Sequence, residues 1–516
     1  MDNHVGMRLV SARVRMFRNI VDSGLIQFEP DVTCIVGKNE SGKTALLQAL
    51  HRQNPAPSPS VFDEFEDYPR WSYVKDRRDG GITKTIPIEC TFELEDEDVA
   101  AVAAELGPRV LRSKTLVRSV AYSGQTLLEL DVDEAAALSN YLDHTQMPND
   151  LRRLIKIGSG PEELKDGTAF IDVDGKSFLD GLDSKKKAEL DALVAQVALK
   201  FEDGSAWTIA KDILKRRLPK FFYFSQYEIL PGRIDLGQLY STNQEPGQSS
   251  LQTARALLRL AGAEQDVLTA EEFEQRKAEL EAISSKLTRE VFEYWTQNEN
   301  LLVEIDADNA TVQSDPEHTA VVRYLDIRVR DTRHGYTGNF SQRSSGFQWF
   351  FSFLAAFSEF QDRGHGVIVL LDEPALNLHG RAQADFLRFI NEKLAANSQV
   401  IYATHSPFMV EPSDLDRVRI LEDKGIDAGS VVAQDVDSAG SDSLLPLKAA
   451  LGNDVAQSLK LGPDNELLGG TGDFANLQAM RDYLVTINGN GHGRLDPAPQ
   501  NDAWWQRLRF WERASH

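Results

Sequence analysis

The chain has 516 residues, 41% of them hydrophobic and 26% charged, enough to bury a large core in two or three domains, and no run of about 18 apolar residues that would cross a membrane as a helix. A formal net charge of −23 argues against a surface that grips nucleic acid throughout, because phosphate contacts need clustered Lys and Arg. Two cysteines, Cys34 and Cys90, give no basis for a disulfide framework or a zinc site, and the opening MDNHVGMRLVSARVRMF has no apolar signal stretch, so a cytoplasmic protein is expected.

Residues 7–20 alternate, with Val10, Ala12, Val14 and Met16 on one face and Arg13 and Arg15 on the other. That pattern predicts a strand with one buried side. The run VTCIVG then leads into GKNESGKT, Gly37 to Thr44, and Thr44 opens a helix carrying Leu46, Leu47 and Leu50. Strand, glycine-rich loop and helix are the context a phosphate-binding loop requires. Gly37 and Gly42 let the backbone approach closely, so the N–H groups of Lys38, Asn39, Glu40 and Ser41 can cradle phosphate oxygens. Lys43 is expected to reach the β- and γ-phosphates, and Thr44 to ligate Mg²⁺. Residues 82–94 alternate through Ile86, Ile88, Cys90, Phe92 and Leu94. Pro87 on their other face points to an edge strand.

From about residue 95 to 320 helical patterns dominate, among them DVAAVAAELG and a charged stretch from Ala270 to Asn298 that could form one arm of a short helical hairpin. The basic runs Arg152–Arg153, Lys185–Lys187 and Lys215–Arg217 with Lys220 read as solvated helix faces, and leave DNA open as a partner. No internal repeat is found. Strand patterns return at Leu325, Ile327 and Val329. The runs VIVLL (367–371) and QVIYAT (399–404) are almost wholly apolar, as in parallel strands covered on both faces, and RAQADFLRFINEKLAANS between them is an amphipathic helix.

Asp372 closes the first of those strands, placed to hold a hydrated Mg²⁺, and Glu373 beside it can act as general base toward water. His405, in ATHSP after the second strand, can sense the γ-phosphate. Phosphate loop and acid pair lie more than three hundred residues apart, which excludes a compact kinase-like layout. No guanine-reading NKxD is present, so ATP is the expected nucleotide. In FSQRSSGFQWFFSFLAAF, the turn Ser344–Ser345–Gly346 opens a strongly apolar helix, whose N-terminus is a second anion site.

Together these stretches resemble an ABC-type ATPase of the SMC/RecF/OLD group. GKNESGKT matches the Walker A motif, RSSGFQ the signature motif with Arg343 in place of the usual Leu, LLDEP Walker B, ALNLHG the D-loop and ATHSP the switch histidine. The resemblance implies an α/β fold: an ABC-type head split in sequence by a mainly helical insertion, with a small C-terminal α/β remnant. It divides the chain into a first lobe (1–95), the insertion (96–320), a second lobe (321–425) and a C-terminal region (426–516). It also implies homodimers or higher oligomers that sandwich ATP between heads, with Lys43 and Ser344 acting on one nucleotide from opposite subunits. Gln226 is a candidate Q-loop glutamine.

Within the group, RSSGFQWFFSF and LDEPALNLHG look most like OLD-family anti-phage ATPases. NELLGGTGDFANLQAMRDYL resembles the start of their TOPRIM nuclease, yet Gly469 stands in place of the catalytic Glu, although Asp473 is retained, and no later acid pair follows. Two-metal cleavage then lacks most of its ligands. The expectation is an ATPase switch of a defence-type system that works with a separate effector, a nuclease. The alternatives are a self-contained OLD-type DNA nuclease and a RecF-like DNA repair ATPase. Trp504, Trp505, Phe510 and Trp511 form a terminal aromatic cluster that docks on the chain's own body or on a partner.

Overall fold

The computed structural model describes residues 6–433 apart from short internal stretches, the longest being 240–248 and 261–272. The C-terminal region expected to be TOPRIM-like, with Gly469, Asp473 and the terminal aromatic cluster, lies outside the described residues, as does Gln226. The fold is α/β, and among the described residues three sheets carry it.

The first sheet contains β1 (Arg8–Phe17), β2 (Ile20–Asp22), β3 (Ile26–Gln27), β6 (Ile88–Glu93), β7 (Leu111–Val120) and β8 (Thr126–Val132), in the order β2-β1-β6-β7-β8 with β3 on β1. Two expectations change here. The strand expected over 7–20 forms only from Arg8 to Phe17, where the chain turns back into β2, and its buried apolar set is Leu9, Ala12, Val14 and Phe17, while Val10 and Met16 are half-buried. A register break between Leu9 and Ser11 shifts the alternation, and a positive φ of 49° at Met16 turns the chain before Phe17; one extra residue moves every later side chain to the other face. The strand around Cys90 is not an edge: β6 lies between β1 and β7. Pro87 stands one residue before it, so its missing N–H costs no ladder bond, and its carbonyl accepts from Arg15 N.

The central sheet runs β17-β16-β4-β15-β14-β9-β5. These strands are β4 (Val32–Val36), β5 (Pro55–Ala56), β9 (Lys220–Phe224), β14 (Val367–Asp372), β15 (Gln399–Thr404), β16 (Val418–Asp423) and β17 (Ser430–Val432). All pairs are parallel except β16 with β17. Every residue of β4, β14 and β15 is buried, as the unbroken apolar runs predict. Alternate residues serve two cores. Cys34, Phe222, Val369 and Tyr402 face one, with the aromatic helix Ser345–Gln361. Ile35, Phe221, Leu370 and Ile401 face the other, with the helix α1 (Lys43–His51) and the first sheet.

Residues 96–320 supply helices, but they also give both sheets strands: β7 and β8 extend the first, and β9 sits inside the central one. The third sheet contains β10 (Arg233–Asp235), β11 (Leu301–Asp315), β12 (His318–Asp331) and β13 (Tyr336–Asn339). The charged segment forms the helix Phe273–Phe292. Among the described residues it docks on β11: Val303 N donates to Thr288 Oγ1 and Ile305 N to Ser284 Oγ, each at 2.9 Å. Each basic run has a member in an ion pair: Arg152 with Asp143, Lys186 with Asp150, and Arg217 with Glu97 and the buried Asp98. No helix among the described residues is long and apolar enough to cross a membrane.

Candidate functional site

Because β4, β14, β15 and β9 run parallel, their C-terminal ends share one edge of the sheet, where open α/β sheets place ligands. The phosphate loop leaves β4, Asp372 and Glu373 end β14, His405 follows β15, and Tyr223 lies near the end of β9.

The loop has the form its sequence predicts. Gly42 takes φ 95° and Glu40 φ 66°. A Cβ on Gly42 would meet Ser430 Oγ at 2.6 Å, and one on Gly37 would lie 2.4 Å from the Leu421 carbonyl oxygen; neither position accepts a side chain. The first turn of α1 has no side-chain cap, so its N–H groups face outward unsatisfied, as an anion site needs. Ser41 Oγ is buried without a hydrogen-bond partner, while Lys38, Asn39 and Glu40 are exposed. A buried orphan hydroxyl beside an uncapped helix suits phosphate oxygens.

Lys43 is 5% exposed. Its Nζ donates to the Gly37 and Lys38 carbonyls at 3.0 and 2.9 Å and lies 3.4 Å from Glu373 Oε1. Thr44 Oγ1 donates to Asp372 Oδ1 at 3.1 Å across 328 residues of sequence. Tyr223 donates to Asp372 Oδ2 at 2.8 Å. Burial pushes the Asp372 carboxyl above its usual range, with the Tyr223 and Thr44 bonds opposing that shift; a cation beside it would favour the charged form. One carboxylate, one hydroxyl and the oxygens of a phosphate are the donor set that suits Mg²⁺. Glu373 Oε2 lies 2.8 Å from His405 Nδ1 and accepts from His405 N at 3.2 Å.

The structure thus joins Gly37–Thr44, Asp372, Glu373 and His405 in one place. Ser344, Ser345 and Gly346 stand elsewhere. Ser344 and Ser345 are exposed at the start of their helix, and the bonds of Ser344 stay in its own turn: its Oγ accepts from Phe347 N at 3.4 Å and its carbonyl from Gln348 N at 3.0 Å. Three site residues escape a reading of the sequence. Tyr223 hides in KFFYF, which looks like core throughout. Gln48 looks like an ordinary helix residue. Asn19 braces the phosphate loop through Glu40 O at 3.3 Å and Ser430 Oγ at 2.9 Å. A lone hydroxyl near the end of an otherwise phenylalanine-rich parallel strand was the one available signal.

The sequence matches the model of the AAA ATPase domain over residues 7–227 and 236–410. Among curated proteins, an uncharacterised protein of Methanocaldococcus jannaschii is 30% identical over 117 residues, which is 22% of this chain and 30% of that protein; the chain therefore matches less than a third of that relative's length. Among solved structures, an Smc head bound to the C-winged helix domain of ScpA aligns over 83% of this chain and 97% of its own, with 14% identity and a TM-score of 0.36. The SMC head domain of Thermotoga maritima aligns over 83% and 98%, with 13% identity and a TM-score of 0.33.

Proposed function

This chain belongs to the AAA ATPase domain family, and from that premise we propose that it binds ATP with Mg²⁺ at Gly37–Thr44 and hydrolyses it to ADP and phosphate as a dimeric switch. The carrying observation is the hydrogen bond between Thr44 and Asp372, which closes one site from sequence motifs 328 residues apart. The loop N–H groups and the uncapped start of α1 bind phosphate oxygens. Lys43 exchanges the carbonyls of Gly37 and Lys38 for the β- and γ-phosphates. Thr44 and Asp372 would hold Mg²⁺, which when bound neutralises charge on the phosphates. Glu373 takes the proton of the attacking water as its oxygen bonds to the γ-phosphorus and the bond to the bridging oxygen breaks, leaving ADP. His405 orients the Glu373 carboxylate. Ser344, Ser345 and Gly346 of a second copy cap the γ-phosphate, a role that the exposure of Ser344 and Ser345 supports.

Phosphate release by the purified chain tests this. We expect Mg²⁺-dependent turnover that EDTA stops and Lys43→Ala abolishes; turnover untouched by both would remove the assignment.

The finer reading is a cytoplasmic, OLD-type switch of an anti-phage defence system, acting with a separate effector nuclease, and it rests on the wording of RSSGFQWFFSF and LDEPALNLHG. Plasmid and linear DNA incubated with the chain, Mg²⁺ or Mn²⁺ and ATP should stay intact while ATP turns over. Cleavage would make the chain a self-contained nuclease instead. Nucleotide-dependent, salt-sensitive DNA affinity would favour a RecF-like repair role.

A further inference from the structure

The two oxygens of the Asp372 carboxylate have different partners. Oδ1 accepts from Thr44 Oγ1 at 3.1 Å. Oδ2 accepts from Tyr223 Oη at 2.8 Å, the phenol reaching across from the neighbouring strand, where Tyr223 is paired with Leu370. A terminal carboxylate torsion is broad and nearly two-fold, so without an outside constraint the two oxygens would exchange places freely. Tyr223 supplies that constraint.

The direction of the phenol's proton is fixed from behind. Arg18 can only donate, and it donates to Gln48 Oε1; the amide nitrogen of Gln48 therefore faces Tyr223 and donates to Oη at 3.5 Å. With its lone pair taken on that side, Oη directs its own proton to Asp372. Arg18 is anchored in turn on the fully buried Asp67 at 3.3 Å, and the His51 ring flanks the phenol with centroids 5.7 Å apart. The chain Asp67–Arg18–Gln48–Tyr223–Asp372 ties the turn after β1 to the metal-binding carboxylate.

We propose that Tyr223 is a positioning residue that holds Oδ2 and turns Oδ1 toward Thr44, so that Asp372 meets a divalent cation through one preset oxygen. The inference rests on the ATPase reading of the site. Partners of this kind, one bond removed from the ion, commonly change metal affinity by about 10–100-fold when lost.

The test uses the full chain and Tyr223→Phe, which keeps the ring and removes the hydroxyl. Mn²⁺ binding in the presence of ADP is read by electron paramagnetic resonance, and binding of a fluorescent ATP analogue is read separately in EDTA. Tyr122→Phe is the control, since it deletes a comparable phenol bond, 2.7 Å to the Met16 carbonyl. We expect Tyr223→Phe to weaken Mn²⁺ about tenfold, with metal-free nucleotide affinity and melting temperature unchanged, and the control to match the unmodified chain. Equal Mn²⁺ affinity in Tyr223→Phe overturns the inference. So does an equal loss of metal-free nucleotide binding, which would place the effect on the loop and not on the carboxylate. If the unmodified chain itself binds no Mn²⁺ with ADP, the reading of the whole site falls instead.

Discussion

Glu373 sits at φ 48°, a left-handed conformation that costs an ordinary residue about 1–2 kcal/mol. The sheet enforces it: Glu373 N donates to the Ala403 carbonyl at 3.0 Å, one step beyond the Asp372–Ala403 pair of the ladder. The result aims the carboxylate at Lys43 and His405 rather than along the strand. A general base must be free of Lys43 to take a proton, and phosphate oxygens would draw Lys43 away. Burial holds the His51 imidazole down at about 4, against about 6.5 in an unfolded chain. Between those values the unfolded chain binds the extra proton, so His51 contributes stability that is lost as pH falls from about 6.5 to 4. His51→Gln should flatten the fall of melting temperature across that window; an unchanged slope would show that His51 does not titrate on unfolding.

At the scale of elements, the helix Ser345–Gln361 presents the exposed Ser344–Ser345 turn from a rigid aromatic base. Trp349 stacks on Phe353 at 5.7 Å and 5°, and Phe353 meets Phe224 of β9 and Phe386 edge-on. Phe353 is fully buried, so Phe353→Ala should cost about 3–5 kcal/mol in denaturant unfolding; a loss below 1 kcal/mol would mean that the cluster collapses to fill the cavity. The elements legible in the sequence were those whose pattern has one cause. VIVLL and QVIYAT read as buried parallel strands because both faces are covered, and GKNESGKT because its glycines have no other use. What was not legible depends on position in space. The alternation of β1 breaks at a bulge that composition does not mark. Pro87 stands one residue outside β6, a difference no pattern resolves. Tyr223 carries the same apolar ring as its neighbours in KFFYF, and only the parallel pairing with β14 puts its hydroxyl on Asp372.

For the whole molecule, residues 96–320 are threaded into the sheets: β9 lies in the central sheet beside β14, and β7 and β8 widen the sheet that begins with β1. β9 pairs along its length with the strand that carries Asp372. In the proposed switch, the exposed Ser344–Ser345 turn meets the phosphate of a second copy. Glu373→Gln with ATP and Mg²⁺ should run as a dimer in size-exclusion chromatography with light scattering, and adding Ser344→Arg should return it to the nucleotide-free size. A Ser344→Arg chain that still dimerises with ATP would remove the trans role of that turn.

In the proposed function, the loop at Gly37–Thr44 and the acids at the end of β14 form one hydrolytic site. Steady-state ATP hydrolysis by Glu373→Gln beside the unmodified chain tests it most directly. Loss of the base should lower the turnover rate by about 10²–10⁴-fold while ATP binding is retained. Hydrolysis at the unmodified rate would show that Glu373 is not the general base.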